Sequence, residues 1–318
     1  MSDDTPAPPE FLLGPIIRLR ELKVPQLPEH DTLKQYQQKA PVELQRFVTD
    51  ALTEGHTFIK EYLARKATVV TQNKASPPST EPVEVRYHKV HVGLLEAKPV
   101  FGVPTPGSTG SGRIDHASEN WFGRISAHEN AAKEGTASWQ EFYDGLKANH
   151  NLHEVDYTPD CINAHKVLDW KAQLATHQNK IGDWEDVTME VWQMTHKMPV
   201  PVLNKRLFTV LVITASKPNK EFITLQIPAD SAMHKQVPTA LDPNKVGTKG
   251  IYVSVEWCQL VDDGKKVMWQ MYTASDAGGV LPMFAQKMAM PNAVAQDVGL
   301  VMDWTEKKRK GTAQVSVE

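Results

Sequence analysis

The stretch that decides the fold is Ser275-Asp-Ala-Gly-Gly-Val-Leu-Pro-Met-Phe-Ala-Gln-Lys-Met-Ala-Met-Pro-Asn-Ala-Val-Ala-Gln-Asp-Val-Gly-Leu-Val-Met-Asp-Trp304. Gly278 and Gly279 break whatever precedes them, and Pro282 stands in what would be the first turn of a helix, where proline is tolerated. Beyond it Phe284, Met288, Val294, Val298, Val301 and Met302 recur at near-helical spacing and predict one apolar face of a long amphipathic helix. Pro291 should kink that helix, because a mid-helix proline loses a hydrogen bond and clashes with the preceding turn. Lys307, Lys308, Arg309 and Lys310 then place cations at the end that the helix dipole favours.

Working outward, the residues before this helix alternate like strands. Ile251 to Leu260 and Lys266 to Ala274 predict a hairpin around Asp262-Asp263-Gly264. Pairing across a three-residue turn puts Val253, Val255, Trp257, Trp269, Met271 and Thr273 on one face, expected to be the inner one. Ser254, Glu256, Met268, Gln270 and Tyr272 fall on the other. Arg206 to Ala215 and Phe222 to Ile227 predict a second hairpin, with Thr209, Leu211, Ile213, Leu225 and Ile227 sharing a face. Trp184 to Met194, Val83 to Leu95 and Asn120 to His128 also read as strands. Pro41 opens a helix carrying Leu44, Phe47, Val48, Ala51, Leu52, Phe58, Ile59, Tyr62 and Leu63, with Gly55 as its weak point. Ser138-Trp-Gln-Glu141 is a capping box that starts a short helix. Residues 1–40 form a proline-rich lead-in, 41–306 a single domain and 307–318 a tail.

A chain of 318 residues, 41% of them hydrophobic, has ample material for a core. A formal net charge of -3 offers no basic field for nucleic acid. Two cysteines, Cys161 and Cys258, build no disulfide framework, which suits a cytoplasmic setting. No apolar run is long enough for stable membrane insertion, and the acidic, proline-rich start is no secretory signal. Lys307 to Lys310 is a short cationic run of the kind that touches anionic lipid, though a solvated helix end explains it equally.

Chemistry is sparse. His88 and His91 have an odd offset that sends them to opposite faces of a strand. His150, His153 and Glu154 have no further ligand pair close in sequence, so no metal is expected. No nucleophile elbow occurs, and the Gly107-Ser-Thr-Gly-Ser-Gly112 run lacks the closing Lys of a phosphate loop. The polar face Arg124, Ser126 and His128 is more suggestive. A guanidinium and an imidazole on one strand face can polarise a bound carbonyl or phenolate. Equally, Arg124 can pair with a carboxylate such as Glu129 or Asp276.

Five local stretches occur in order: Trp121-Phe-Gly-Arg-Ile-Ser-Ala-His128, Trp139-Gln-Glu-Phe142, Met198-Pro-Val-Pro201 with Arg206-Leu-Phe-Thr-Val-Leu-Val212, Tyr252-Val-Ser-Val-Glu256, and Ser275-Asp-Ala-Gly-Gly279. Together with the closing helix they resemble the fungal START-like family termed domain of unknown function 3074, over roughly residues 85–305. The resemblance implies an α+β helix-grip fold: a curved antiparallel sheet wrapped around the last helix, enclosing an apolar cavity for a hydrophobic small molecule. Some proteins similar to this type close rings in secondary metabolism by an intermolecular hetero-Diels–Alder reaction on tropolone sesquiterpenoids. On that basis Arg124, His128, Thr209 and Thr273 are the expected catalytic groups, acting without a cofactor. Tyr87, Ser126, Leu211, Val255, Trp257, Trp269, Met271, Phe284 and Met288 are the expected ligand contacts. The alternatives are a non-catalytic carrier of a sterol, lipid or polyketide, or an inert binding module. Oligomeric state has no signal in the sequence.

Overall fold

In a computed structural model, the described residues are 14–37, 41–91, 100–101, 118–198, 203–218, 221–278 and 283–313. The helices are α1 (Leu44–Thr57), α2 (Ala64–Lys66), α3 (Trp139–Leu146), α4 (His150–Tyr157), α5 (Lys171–Ala175), α6 (Pro243–Val246) and α7 (Met283–Arg309). A π-helical stretch, Phe58–Leu63, joins α1 to α2. The strands are β1 (Thr68–Lys74), β2 (Val83–His91), β3 (Ser118–Glu129), β4 (Cys161–Asp169), β5 (Glu185–His196), β6 (Arg206–Lys217), β7 (Glu221–Pro228), β8 (Thr248–Val261) and β9 (Lys266–Asp276). They form one sheet in the order β1-β2-β3-β9-β8-β7-β6-β5-β4. Every neighbouring pair in that order is antiparallel. Among the named strands of the described residues, a short additional β6–β8 contact is parallel. The expected curved antiparallel sheet with a long final helix is therefore present. Strands β1 and β4, the two sheet edges, were not expected from the sequence.

Each face of the sheet is covered. On one face α1 packs over β6, β7 and β8. Phe47, Val48, Ala51, Leu52 and Phe58 bury there against Leu211, Ile213, Ile223, Leu225, Val253 and Val255. Gly55 is no weak point but a close approach: a Cβ there would lie 2.5 Å from Leu225 Cδ2, so the helix reaches the sheet only because that position has no side chain. The lead-in also joins this layer. Ile16, Ile17, Leu19, Leu22, Val24, Leu27 and Leu33 are all buried. Two carboxylates hold it down: Glu54 accepts from the backbone N–H of Ile17 (2.7 Å), and Glu119 from that of Leu19 (2.9 Å).

On the opposite face α7 lies over β2 and β3, with α3 and α4 beside it. Val294, Ala295, Val298, Val301 and Met302 bury against Val83, Val85, Phe122, Trp269 and Met271. The helix is continuous through Pro291. Its expected stripe begins later than the spacing suggested, because Met288 is 67% exposed. The Phe284 side chain and the Gly107–Gly112 run lie outside the described residues. The capping box forms as expected: Ser138 N–H donates to Glu141 Oε2 at 2.8 Å, and α3 follows it.

The β8–β9 hairpin corrects one expectation with consequences. The register pairs Val261 with Lys266 and Cys258 with Trp269. The turn thus holds four residues, Asp262 to Lys265, and Asp262, Asp263 and Gly264 all adopt positive φ. One extra turn residue shifts the pairing by one and sends alternate side chains to the other face. Trp257 and Val255 therefore lie beneath α1, away from Trp269, Met271 and Thr273. Ser254 and Glu256 take their place under α7.

Candidate functional site

A chamber of about 230 Å³ lies between α7, α4 and the middle of the sheet. Its apolar wall comes from Leu146, Trp269, Met271, Met290, Val294 and Val301. The rest is polar: the expected site residues Arg124 and Thr273 with Ser254, Glu256, Gln226 and Asp297, and His150, Glu154, Tyr157, Thr158 and His196 toward α4. A more open groove of about 490 Å³, with Gln72, Glu84 and Arg86 in its wall, lies elsewhere on the sheet near β1. Its charged, open walls lack the enclosure of a ligand site.

Arg124 is the centre of the chamber. Its Nη2 donates to Glu256 Oε1 at 3.1 Å, and its guanidinium carbon stacks 3.8 Å over the Trp269 ring. Trp269 Nε1–H donates to the same Glu256 oxygen at 2.7 Å. Both charged side chains are nearly sealed, 3% and 8% exposed. Such a pair has to offset its desolvation with further hydrogen bonds; here the carboxylate gains Trp269 as a second donor, while Arg124 Nε and Nη1 have no hydrogen-bond partner among the described residues. The carboxylate is Glu256, rather than Glu129 or Asp276 as the sequence suggested. Asp297, in the middle of α7, adds a second acid 3.9 Å from Arg124 Nε. Burial, together with the Glu154 and Glu256 carboxylates, pushes Asp297 up to about 7, with Arg124 pulling the other way. The 36% of its side chain that remains accessible borders the chamber. Thr273 lines the chamber too, its hydroxyl donating to Val253 O at 3.0 Å.

The other expected site residues fall elsewhere. His128 shares the strand face of Arg124, but it is fully buried beneath Phe142 and Trp269 and does not reach the chamber. Its Nε2 meets Ser126 Oγ at 2.8 Å, and burial with nearby Arg124 lowers its pKa to about 4, so it is neutral. Ser126 borders the open groove instead. Tyr87 packs on Phe122 and donates to Asn120 Oδ1 at 2.8 Å, outside the chamber wall. Thr209 lies on the α1 side, where Gln193 Nε2 approaches its hydroxyl at 3.4 Å. Leu211, Val255 and Trp257 are core under α1, and Met288 faces solvent.

The model of the family described as "Protein of unknown function (DUF3074)" matches residues 121–305, more than half of the chain. The chain belongs to this family. The matched span runs from within β3 to most of α7, and so contains every chamber residue named above. Among solved structures, this DUF3074 protein is similar to human StAR-related lipid transfer protein 5, at 10% identity and a TM-score of 0.54, covering 84% of this chain and all of that one. It is also similar to human STARD10, at 13% identity and a TM-score of 0.51, covering 81% and 82% of the two chains. At such identities the likeness establishes the START-like fold. No curated protein matches the chain significantly. Among the described residues no helix is long and apolar enough to cross a membrane.

Proposed function

We propose that this DUF3074 protein binds a small, largely hydrophobic molecule bearing at least one polar oxygen, in the chamber between α7 and the sheet. The observation that carries this reading is the chamber itself, whose wall combines apolar Trp269, Met271, Val294 and Val301 with charged Arg124, Glu256 and Asp297. Its volume of about 230 Å³ is just below the roughly 300–1,000 Å³ usual for ligand pockets, so a small guest fits as it stands. The fold shared with human StAR-related lipid transfer protein 5 supports the same reading. Native mass spectrometry of protein from its own host, with displacement of a fluorescent fatty-acid probe, tests it. Val294→Trp, which fills the chamber, should abolish probe binding while the fold is retained; undiminished binding in a folded variant overturns the reading.

Catalysis is the second reading, and Asp297 favours it. An acid with a pKa of about 7 is present in both forms near neutrality, which suits proton donation to or removal from a guest oxygen. Arg124, which also lines the chamber, would polarise the same oxygen, as a cofactor-independent cyclisation of hetero-Diels–Alder type requires, whereas the Thr273 hydroxyl is committed to the Val253 carbonyl. His128 and Thr209, outside the chamber, have no part in this version. Asp297→Asn should lower turnover of a bound metabolite with its affinity held. An unchanged rate leaves the protein a carrier.

A further inference from the structure

The α4 end of the chamber holds a group of side chains that guest binding does not explain. Glu154 comes from α4, Cys161 from the first position of β4, and His196 from the last position of β5. Cys161 and His196 are direct cross-strand partners in the β4–β5 register. A carboxylate oxygen, the thiol sulfur and an imidazole nitrogen all lie within 4.8 Å of one another. His196 Nε2 is buried and has no hydrogen-bond partner among the described residues, while its ring is fixed edge-on against Phe208.

The surroundings have the same character. His150 Nδ1 lies 2.8 Å from the Leu146 carbonyl, which only accepts, so that nitrogen carries the proton. The remaining nitrogen, Nε2, sits 3.9 Å from Glu154 Oε2. A ring nitrogen pinned by a backbone carbonyl, with its other nitrogen turned to the centre, is how metal-binding histidines are oriented. Gln226 Nε2 donates to Glu154 Oε2 at 3.3 Å and steadies the carboxylate. Burial and the Glu154 carboxylate hold the Cys161 thiol well above its ordinary pKa, against the Asn163 backbone N–H that donates to its sulfur, so the thiol keeps its proton until a cation displaces it. Several electron-pair donors thus converge where a cation would satisfy them together.

We infer that Glu154, Cys161 and His196 form a binding site for a zinc-type divalent cation, with His150 beside it and the fourth position open to the chamber. Mixed sulfur, nitrogen and oxygen donors suit zinc over calcium or magnesium. Metal–ligand distances of about 2.0–2.3 Å put tetrahedral ligands roughly 3–4 Å apart, within small side-chain adjustments of the observed group. On binding, the thiol loses its proton to solvent and the sulfur coordinates as thiolate. Because His150, Glu154 and His196 all line the chamber, an oxygen of the guest would fall within reach of the metal. The sequence concealed this group because His196 lies far from Glu154 and Cys161 along the chain and meets them only through the β4–β5 pairing.

Cobalt(II) titration of the full chain after chelator treatment tests the inference. The expected result is saturation at one ion per chain, tetrahedral-intensity visible bands, a sulfur-to-cobalt charge-transfer band in the near ultraviolet, and displacement by zinc. Cys161→Ser should remove the charge-transfer band, and Cys258→Ala, a buried thiol elsewhere, should keep it. His196→Gln should weaken cobalt binding more than about 100-fold, beyond the loss typical of outer-shell changes. If Cys161→Ser fails to fold, Glu154→Gln serves, with the same expected loss of affinity. Absence of the bands, or bands that survive these substitutions in folded protein, overturns the site. The inference concerns the ligand set, not the guest: fatty-acid probe binding without cobalt bands overturns the metal site alone, and cobalt bands without probe binding overturn the chamber reading alone.

Discussion

The two faces of the sheet are built from the same strands and solve opposite problems. Under α1 the contacts are apolar and close: Leu225 fills the space that Gly55 leaves, and Phe58 meets Trp121 with ring centres 4.7 Å apart. Under α7 the alternate residues of β7 and β8 are Thr224, Gln226, Ser254 and Glu256, and a chamber remains. The α1 face is where burial stabilises the domain. The α7 face holds charge and space that pure stability would eliminate, since well-packed apolar residues often replace a buried ion pair without loss. That contrast is the physical argument for a site.

The comparison can be broken first at its strongest point. Phe58→Ala on the α1 face should cost about 3–5 kcal/mol in chemical denaturation, with probe binding per folded molecule unchanged. Reduced binding would mean that the faces are coupled. Arg124→Ala on the α7 face should cost about 3 kcal/mol, at the low end for breaking a buried pair because Trp269 still donates to Glu256, and it should also alter guest affinity. Gly55→Ala should cost about 1–3 kcal/mol by pushing α1 off Leu225, and a neutral result would show that the helix seats loosely.

A smaller effect, at most about 1.4 kcal/mol per pH unit for each proton, separates two groups of the α7 face by sign. Asp297 titrates near 7 in the folded chain, above its ordinary 3.8, so its contribution is complete below pH 4 and lost as pH rises toward 7. His128 titrates near 4, below its ordinary 6.5, so its contribution is complete above 6.5 and lost as pH falls toward 4. Between pH 4 and 6.5 the two oppose each other. Denaturation of Asp297→Asn should show stability rising with pH through that window, and His128→Gln should show it falling. Matching profiles would refute the assignment of both groups. Smallest of all, Met288→Ala, on the exposed side of α7, should change stability by less than about 0.5 kcal/mol and leave probe binding intact.

Strand and helix periodicity made most of the architecture legible. The α1 stripe, the β6–β7 face sharing and the capping box at Ser138 all follow from local pattern, and all are present. Edge strands β1 and β4 escaped notice because their side chains are largely exposed or partly so, leaving no apolar alternation to read. Arg124 was identifiable from the polar face it shares with Ser126 and His128 on β3. Glu256 was not, because polar alternation normally marks the solvent face, and here both faces are covered. Lys265, as a fourth turn residue, exchanged the faces of β8.

By itself the sequence determined the elements: a long closing helix, antiparallel hairpins and an amphipathic helix near the start, because those depend on residue spacing within a few turns of chain. Tertiary structure alone decided which strand face looks into the chamber, which carboxylate holds Arg124, and that Glu154, Cys161 and His196 meet. Those outcomes depend on hairpin register and on contacts between distant segments, where a shift of one residue reverses the answer and no local pattern records it.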